Sequence, residues 1–303
     1  MTEQSDFFQH LINGLSLGSI YALIALGYTM VYGVLQMINF AHSDIYMMGA
    51  FAAYYVSRWI GLEVEPGLYS LIMALLTSML ACAALGVLTE RLAYRPLRRA
   101  PKLNVLITAI GVSLFLQFGA QILFGADPKV FPQLIVDKSL IETPFLVLKT
   151  LDLTVFLVTL LALVVLHYLV FHTKMGKSMR AISHSMTTAS LLGINVNRVV
   201  VFTFILGSCL AGIGSVLVGL KYPKIEPLMG VMIGLKAFVA AVLGGIGNMG
   251  GAVLGAMIMG LSEEFVVAYL SSTMRDALAC GLLIGILIWK PSGLLGKNSI
   301  EKV

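Results

Sequence analysis

Charge-free apolar runs long enough to cross a lipid bilayer recur along this chain, and they leave it few ways to fold. Leu11–Gly33, Gly67–Thr89, Leu103–Gly125, Leu153–Phe171 and Val199–Leu220 contain no Asp, Glu, Lys or Arg. A helix crossing the hydrocarbon core needs about 20 apolar residues. Four weaker runs join these. Asn39–Ser57 carries His42 and Asp44 near one end, Val231–Gly247 carries Lys236, and Met249–Ser262 and Ala277–Trp289 are short but uncharged. Charged residues make up 12% of the 303 residues and hydrophobic ones 58%, whereas soluble domains carry about 25% charge. Lipid is therefore the solvent for much of this surface. Backbone polar groups in lipid must be satisfied internally. The expected fold is all-α: a polytopic membrane helix bundle of eight or nine membrane segments, one or two of them broken or re-entrant, forming one transmembrane domain over residues 1–303.

Loop charge orients the bundle, because short cytoplasmic loops are enriched in Lys and Arg. Glu90–Lys102 contains Arg91, Arg95, Arg98, Arg99 and Lys102. His172–Arg198 contains Lys174, Lys177, Arg180 and Arg198 with no acidic residue, and the tail contains Lys290, Lys297 and Lys302. Ala126–Asp152 instead mixes three lysines with Asp127, Asp137, Glu142 and Asp152, includes Pro128, Pro132 and Pro144, and reads as an external connection. With the N-terminus outside, all three basic regions fall in the cytoplasm, which takes nine crossings, or eight with a different treatment of the Val231–Ser262 region. The net charge of +5 is then a topology signature and not a nucleic-acid patch. The first apolar run follows Glu3 and Asp6 rather than a basic segment, so it reads as a retained span and not a cleaved signal. Cys82, Cys209 and Cys280 lie in apolar runs without ligand spacing and read as buried, inert thiols.

No catalytic motif is evident. Gly176-Lys177-Ser178 imitates the end of a phosphate-binding loop, but the glycine such a loop needs five residues earlier is Phe171. Ionisable residues within spans usually mark ion-coupled carriers. Their scarcity here implies a passive path, or work supplied by another subunit.

Four features carry more information. In Asn39-Phe40-Ala41-His42-Ser43-Asp44, Ser43 or Asp44 suits an interfacial helix N-cap, and Asn39 and His42 suit a pathway or gate. Gly244-Gly245-Ile246-Gly247, with Gly250 and Gly251 close behind, suits either tight packing or a broken helix whose backbone borders a cavity, with Gly245 and Gly247 at the break. Lys236, about two turns earlier, is expected to snorkel to the surface, the alternative being a carboxylate partner inside the bundle. Gly207, Gly212, Gly214 and Gly219 lack the GxxxG register and read as close helix crossings.

The fourth feature is the basic loop 172–198. Ser185 is a good N-cap, Met186–Leu192 spans about two helical turns, and Gly193 suits the left-handed C-cap position. Leu191, Leu192 and Ile194 form an apolar knob, and Ala189 permits close approach. Such a helix can dock in a partner's groove or lie on the membrane as a plain connector.

Motifs along the chain resemble those of the permease subunits of ATP-binding cassette importers for branched-chain amino acids, of the LivH type. They are Tyr21-Ala-Leu-Ile-Ala-Leu-Gly-Tyr-Thr-Met-Val-Tyr-Gly33, Met37-Ile-Asn-Phe-Ala-His42, Glu90-Arg-Leu-Ala-Tyr-Arg-Pro96, Ala189-Ser-Leu-Leu-Gly-Ile-Asn195 and Lys236-Ala-Phe-Val-Ala-Ala-Val-Leu-Gly-Gly-Ile-Gly247. The resemblance implies a multi-pass protein of the bacterial inner membrane with no enzyme activity or cofactor of its own. It implies a second homologous permease subunit, two cytoplasmic ATP-binding cassette subunits that use the ATP, and a periplasmic amino-acid-binding protein. Importers of this kind dock their ATPases on a Glu-Ala-Ala-x3-Gly loop. Here that loop reads Thr187-Thr188-Ala189-x3-Gly193, so Ala189, Leu191, Leu192, Gly193 and Ile194 become the expected coupling residues. Rival readings are an importer of urea, short amides or other amino acids, and a self-sufficient channel or secondary carrier.

Overall fold

A computed structural model describes residues 3–98, 100–143 and 146–296. Arg99, Pro144, Lys297 and Lys302 lie outside the described residues. Among the described residues nine apolar helices form the bundle: α1 (Glu3–Leu35), α2 (His42–Ile60), α3 (Leu68–Thr89), α5 (Lys102–Phe124), α6 (Thr150–His172), α9 (Val196–Lys221), α10 (Met229–Gly244), α11 (Met249–Tyr269) and α12 (Arg275–Trp289). Among the described residues, seven are long and apolar enough to cross a membrane; α10 is a shorter apolar helix, and α2 is outside that set. The helices run alternately up and down, so the three basic regions meet at one end, as their charge requires. That end is taken as cytoplasmic.

α1 is the axis of the bundle. It packs along α11, α9, α10 and α6 and is buried almost all round. α2, α3 and α9 form a second packed group. α5, α6 and α12 turn most of their apolar surface outward, as lipid-facing helices do. Small residues set the close approaches expected in lipid, where dispersion rather than water exclusion joins helices. A Cβ on Gly207 would sit 3.2 Å from the Gly27 carbonyl oxygen of α1, and one on Gly212 would sit 2.9 Å from that of Ser78 on α3. The irregular glycine spacing of α9 thus serves two different neighbours.

α2 begins deep in the protein. Gln36, with φ +54°, ends α1 and reverses the chain. Residues 36–41 then climb back beside α1 until His42 packs on Tyr28 with ring centroids 4.8 Å apart. Tyr28 lies seven residues before Leu35, so α2 starts roughly 10 Å above the end of α1 at 1.5 Å per residue. The expectation of an interfacial cap by Ser43 or Asp44 is therefore corrected. Ala41 occupies the N-cap without a side-chain bond, and Ser43 Oγ donates to the Phe40 carbonyl at 3.1 Å. Asp44, fully buried, accepts instead from Ser113 Oγ at 2.5 Å and Gln117 Nε2 at 3.0 Å, both on α5.

The mixed-charge loop caps the opposite end of the bundle. Its strands β2 (Ser139–Thr143) and β3 (Leu146–Lys149) pair as an antiparallel hairpin, and β1 (Lys129–Val130) pairs with β4 (Lys224–Ile225). Phe131 and Leu134 plug the bundle beneath them. The cysteine expectation holds for Cys82, which is buried; Cys209 is intermediate and Cys280 exposed on α12.

Candidate functional site

At the end of the bundle that gathers the basic segments, the 172–198 loop forms two helices, α7 (Lys174–His184) and α8 (Met186–Leu191). α7 was not expected from the sequence. Its signal is the spacing of Gly176, Met179 and Ile182, which all face inward while Lys174, Lys177 and Arg180 do not. Thr173 caps it by accepting from the Gly176 N–H at 3.1 Å, and the Arg180 guanidinium donates to the Val170 carbonyl at the end of α6. α7 packs against α6, α1 and α9, which ties the loop to the central helix.

α8 has the predicted termini. Ser185 Oγ accepts from the Thr188 N–H at 3.2 Å. Gly193 has φ +81°, its N–H donates to the Ser190 carbonyl at 3.0 Å, and the Ile194 N–H donates to the Ala189 carbonyl at 3.1 Å. This is a Schellman ending, which needs the left-handed conformation that glycine adopts without strain. Ala189 is buried beneath the turn and Ile194 packs on the core. Leu191 and Leu192 point away, 84% and 74% exposed. Asn195 then caps α9 by accepting from the Arg198 N–H at 3.1 Å.

A second basic segment braces the same region. α3 continues through a π-helical turn, Glu90–Tyr94, into the single turn α4, Arg95–Leu97. Glu90 is fully buried and pairs with Arg95 at 3.0 Å and with Arg98. Arg98 also donates to Asn197 Oδ1 on α9 at 2.7 Å. Nothing in the local sequence announces this link, because its partners are 99 residues apart.

Between these helices, at the same end of the bundle, lies an open cavity of about 1090 Å³. Tyr32 and Gly33 of α1, Arg180 and His184 of α7, and Gly247 and Asn248 line it. The glycine-rich stretch is both a break and a close-packed joint. Gly245 (φ +103°) and Gly247 (φ +93°) separate α10 from α11. Backbone freed at such a break must find other partners. The segment after α12 supplies them: the Leu294 N–H donates to the Leu243 carbonyl at 2.8 Å and the Leu295 N–H to the Gly244 carbonyl at 3.0 Å. Asn248 caps α11 and also donates to the Leu295 carbonyl at 2.8 Å.

The four residues considered for a pathway or gate do not gather at one point. Gly247 lines the cavity, and Gly245 is packed against the backbone of Ser292 and Gly296. Asn39 is buried and accepts from the Tyr94 hydroxyl at 2.8 Å. His42 is buried against Gly27 and Tyr28, with Nε2 lacking a partner.

The snorkelling expected of Lys236 is overturned. Its Nζ lies 3.0 Å from Glu263 Oε1 on α11 and 2.8 Å from Asp276 Oδ1 on α12. Arg275 Nε is 3.0 Å from the same Glu263 oxygen, and the Tyr21 hydroxyl donates to Glu263 Oε2 at 2.8 Å. Snorkelling pays only when no counter-charge is within reach, and here two converge. Glu263 and Asp276 stand at the margins of apolar runs, where each reads as interfacial until the helices are assembled.

These features accompany a clear kinship. The family model for the branched-chain amino acid transport system permease component matches residues 10–287. The chain is 39% identical over 308 residues to the high-affinity branched-chain amino acid transport system permease protein LivH of Escherichia coli K12, with all of both chains covered. The chain belongs to this permease family. A second branched-chain permease, BraD of Pseudomonas aeruginosa, is 39% identical over 309 residues, again with full coverage of both chains. The ribose import permease RbsC of E. coli is 24% identical over 272 residues, covering 86% of this chain and 78% of its own. Among solved structures, PsaBC from Streptococcus pneumoniae in complex with Fab matches at a TM-score of 0.50 and 13% identity, covering 95% of this chain and 94% of its own. That likeness concerns the fold alone. Membership in the branched-chain permease family and the apolar helices together make this a multi-pass membrane protein.

Proposed function

We propose that this chain is a permease subunit of an ATP-driven importer of leucine, isoleucine and valine in a bacterial inner membrane. The observation that carries the reading is the full-length match to two branched-chain permeases. The chain would form half of the translocation path beside a second, homologous permease. A periplasmic binding protein would deliver the amino acid to the capped external end, and two cytoplasmic ATPases would drive the cycle, with no cofactor held by this chain.

The ATPases would dock on α8, with Leu191 and Leu192 in a groove of the partner. Ala189, Gly193 and Ile194 fix how the pair is presented. Force on α8 passes directly into α7 and α9 and from α7 into α1 and α6, through the contacts these helices share. The Arg98–Asn197 bond extends the same unit to α3. We assign Gly247, at the cavity wall, and Gly245, at the joint, to the cytoplasmic gate. Asn39 and His42 lie in the returning segment above it and would steady α1 against α2 and the π-turn. A zwitterion of zero net charge needs a weakly polar path that carries no net charge.

Uptake into vesicles carrying the complete importer tests the substrate. Leucine, isoleucine and valine should accumulate with ATP and compete with one another, and urea and acetamide should not compete. Accumulation of urea, with none of leucine, would place the chain with a different importer.

A further inference from the structure

The network around Lys236 is too deep for a surface ion pair and too open for a purely structural one. Glu263 lies 14 residues above the start of α11 and Asp276 lies 13 residues before Trp289 at the end of α12. Both are therefore roughly 20 Å from the cytoplasmic ends of their helices, at 1.5 Å per residue. A hydrocarbon core is about 30 Å thick, so with those helix ends at its inner boundary the network falls in its outer part. Asp276 stands in the first turn of α12, which with the short turn Ser272–Met274 before it makes a span of 18 residues.

Its members are unequally exposed. Glu263 is 1% exposed and is held by Lys236, Arg275 and Tyr21, while the Asp276 side chain is 54% exposed. Arg275 Nε is close to Glu263 without an aligned hydrogen bond. A carboxylate that open cannot face hydrocarbon at this depth without large cost. Water or another polar surface must reach it. Beside it, Val231, Met232 and Leu235 of α10 and Leu228 at its N-cap form an exposed apolar stripe, with Met232 one turn from Lys236 on the same side.

We propose that Lys236, Arg275 and Asp276 form a transient binding site for the zwitterionic head of the transported amino acid, with its aliphatic side chain against the α10 stripe; this rests on the substrate class proposed above. The substrate carboxylate would replace Asp276 on Lys236 and also accept from Arg275, and the displaced Asp276 would accept from the substrate ammonium. Two charges enter as an equal and opposite pair, so the network stays neutral throughout. Glu263, fixed by Tyr21, keeps Lys236 charged in both states. A self-neutral site of this kind holds a zwitterion in passing and lets it go, because the internal Lys236–Asp276 pair re-forms on release.

The test uses the complete importer in vesicles, supplied with leucine-loaded binding protein. Asp276→Asn should lower ATP-driven leucine uptake about tenfold, the scale of one charge-assisted hydrogen bond, and leave binding-protein-stimulated ATP hydrolysis within about twofold of wild type. Asp276→Glu should retain uptake. Cys280, exposed one turn from Asp276, reports on the same place: in a Cys209→Ser background a charged methanethiosulfonate reagent should modify it, more slowly during leucine turnover. Wild-type uptake by Asp276→Asn would overturn the site. So would parallel loss of uptake, ATP hydrolysis and subunit assembly, which marks a structural tie. A Cys280 thiol closed to the charged reagent would also overturn it, because no aqueous path then passes α12. If the wild-type importer moves no leucine, the substrate reading fails first and the site with it.

Discussion

Replacing Leu191 and Leu192 by alanine separates docking from folding. Both side chains stand almost wholly in solvent, 84% and 74% exposed, so shortening them removes little from the isolated subunit, within about 0.5 kcal/mol for exposed positions. Alanine also preserves helix propensity at Leu191, and the Gly193 ending does not involve these side chains. The effect appears only when a partner covers them. Leucine to alanine removes three carbons at about 0.8 kcal/mol per buried methylene, or about 2 kcal/mol per residue for full burial in a groove. Each substitution should then weaken ATPase binding about 30-fold, and the pair more strongly. The assay is co-purification of the ATPase subunits with the tagged permease across a detergent dilution series, with thermal unfolding of the permease alone as control. Unchanged retention of the ATPases in the double variant, with an unchanged unfolding midpoint, would refute docking through α8.

Further substitutions examine the surrounding framework. Gly193→Val forces a branched residue into φ +81°, costing about 1–2 kcal/mol, and should lower uptake per ATP hydrolysed, whereas Gly193→Asn should keep most of it because asparagine tolerates that conformation. Glu90→Gln leaves Arg95 and Arg98 without their buried counter-charge and should destabilise the subunit by about 3 kcal/mol, read as a lower unfolding midpoint in detergent. Gly212→Leu places a side chain where a Cβ already meets Ser78 backbone at 2.9 Å and should reduce folded protein recovered from membranes. Asn248→Ala removes the α11 cap, worth about 1 kcal/mol, and the bond to Leu295, so protease should cleave after residue 290 more readily.

Much of the bundle is legible in the chain because lipid imposes simple rules. Charge-free runs become spans, basic loops mark one side, and Gly193 ends a helix that Ser185 begins. All of these are local in sequence. The overlooked parts depend on distant pairings. Lys236 reads as a snorkelling residue until Glu263 and Asp276 arrive from α11 and α12. Asp44 reads as an interfacial cap until residues 36–41 turn inward and α5 offers Ser113 and Gln117. α7 is hidden because its inward face is a mere three small or apolar residues set among lysines, too weak a stripe to stand out beside the neighbouring spans. Of the residues considered for a pathway or gate, Gly247 lines the cavity, and Asn39 and His42 are packed where no local pattern placed them.

The claim that this chain is a passive half-pathway driven from outside is tested most directly by flux with and without its engine. Purified permease pairs in vesicles should pass no leucine against a gradient, and adding the ATPases, ATP and loaded binding protein should start accumulation. Steady, ATP-independent uptake by the permease chains alone would contradict it.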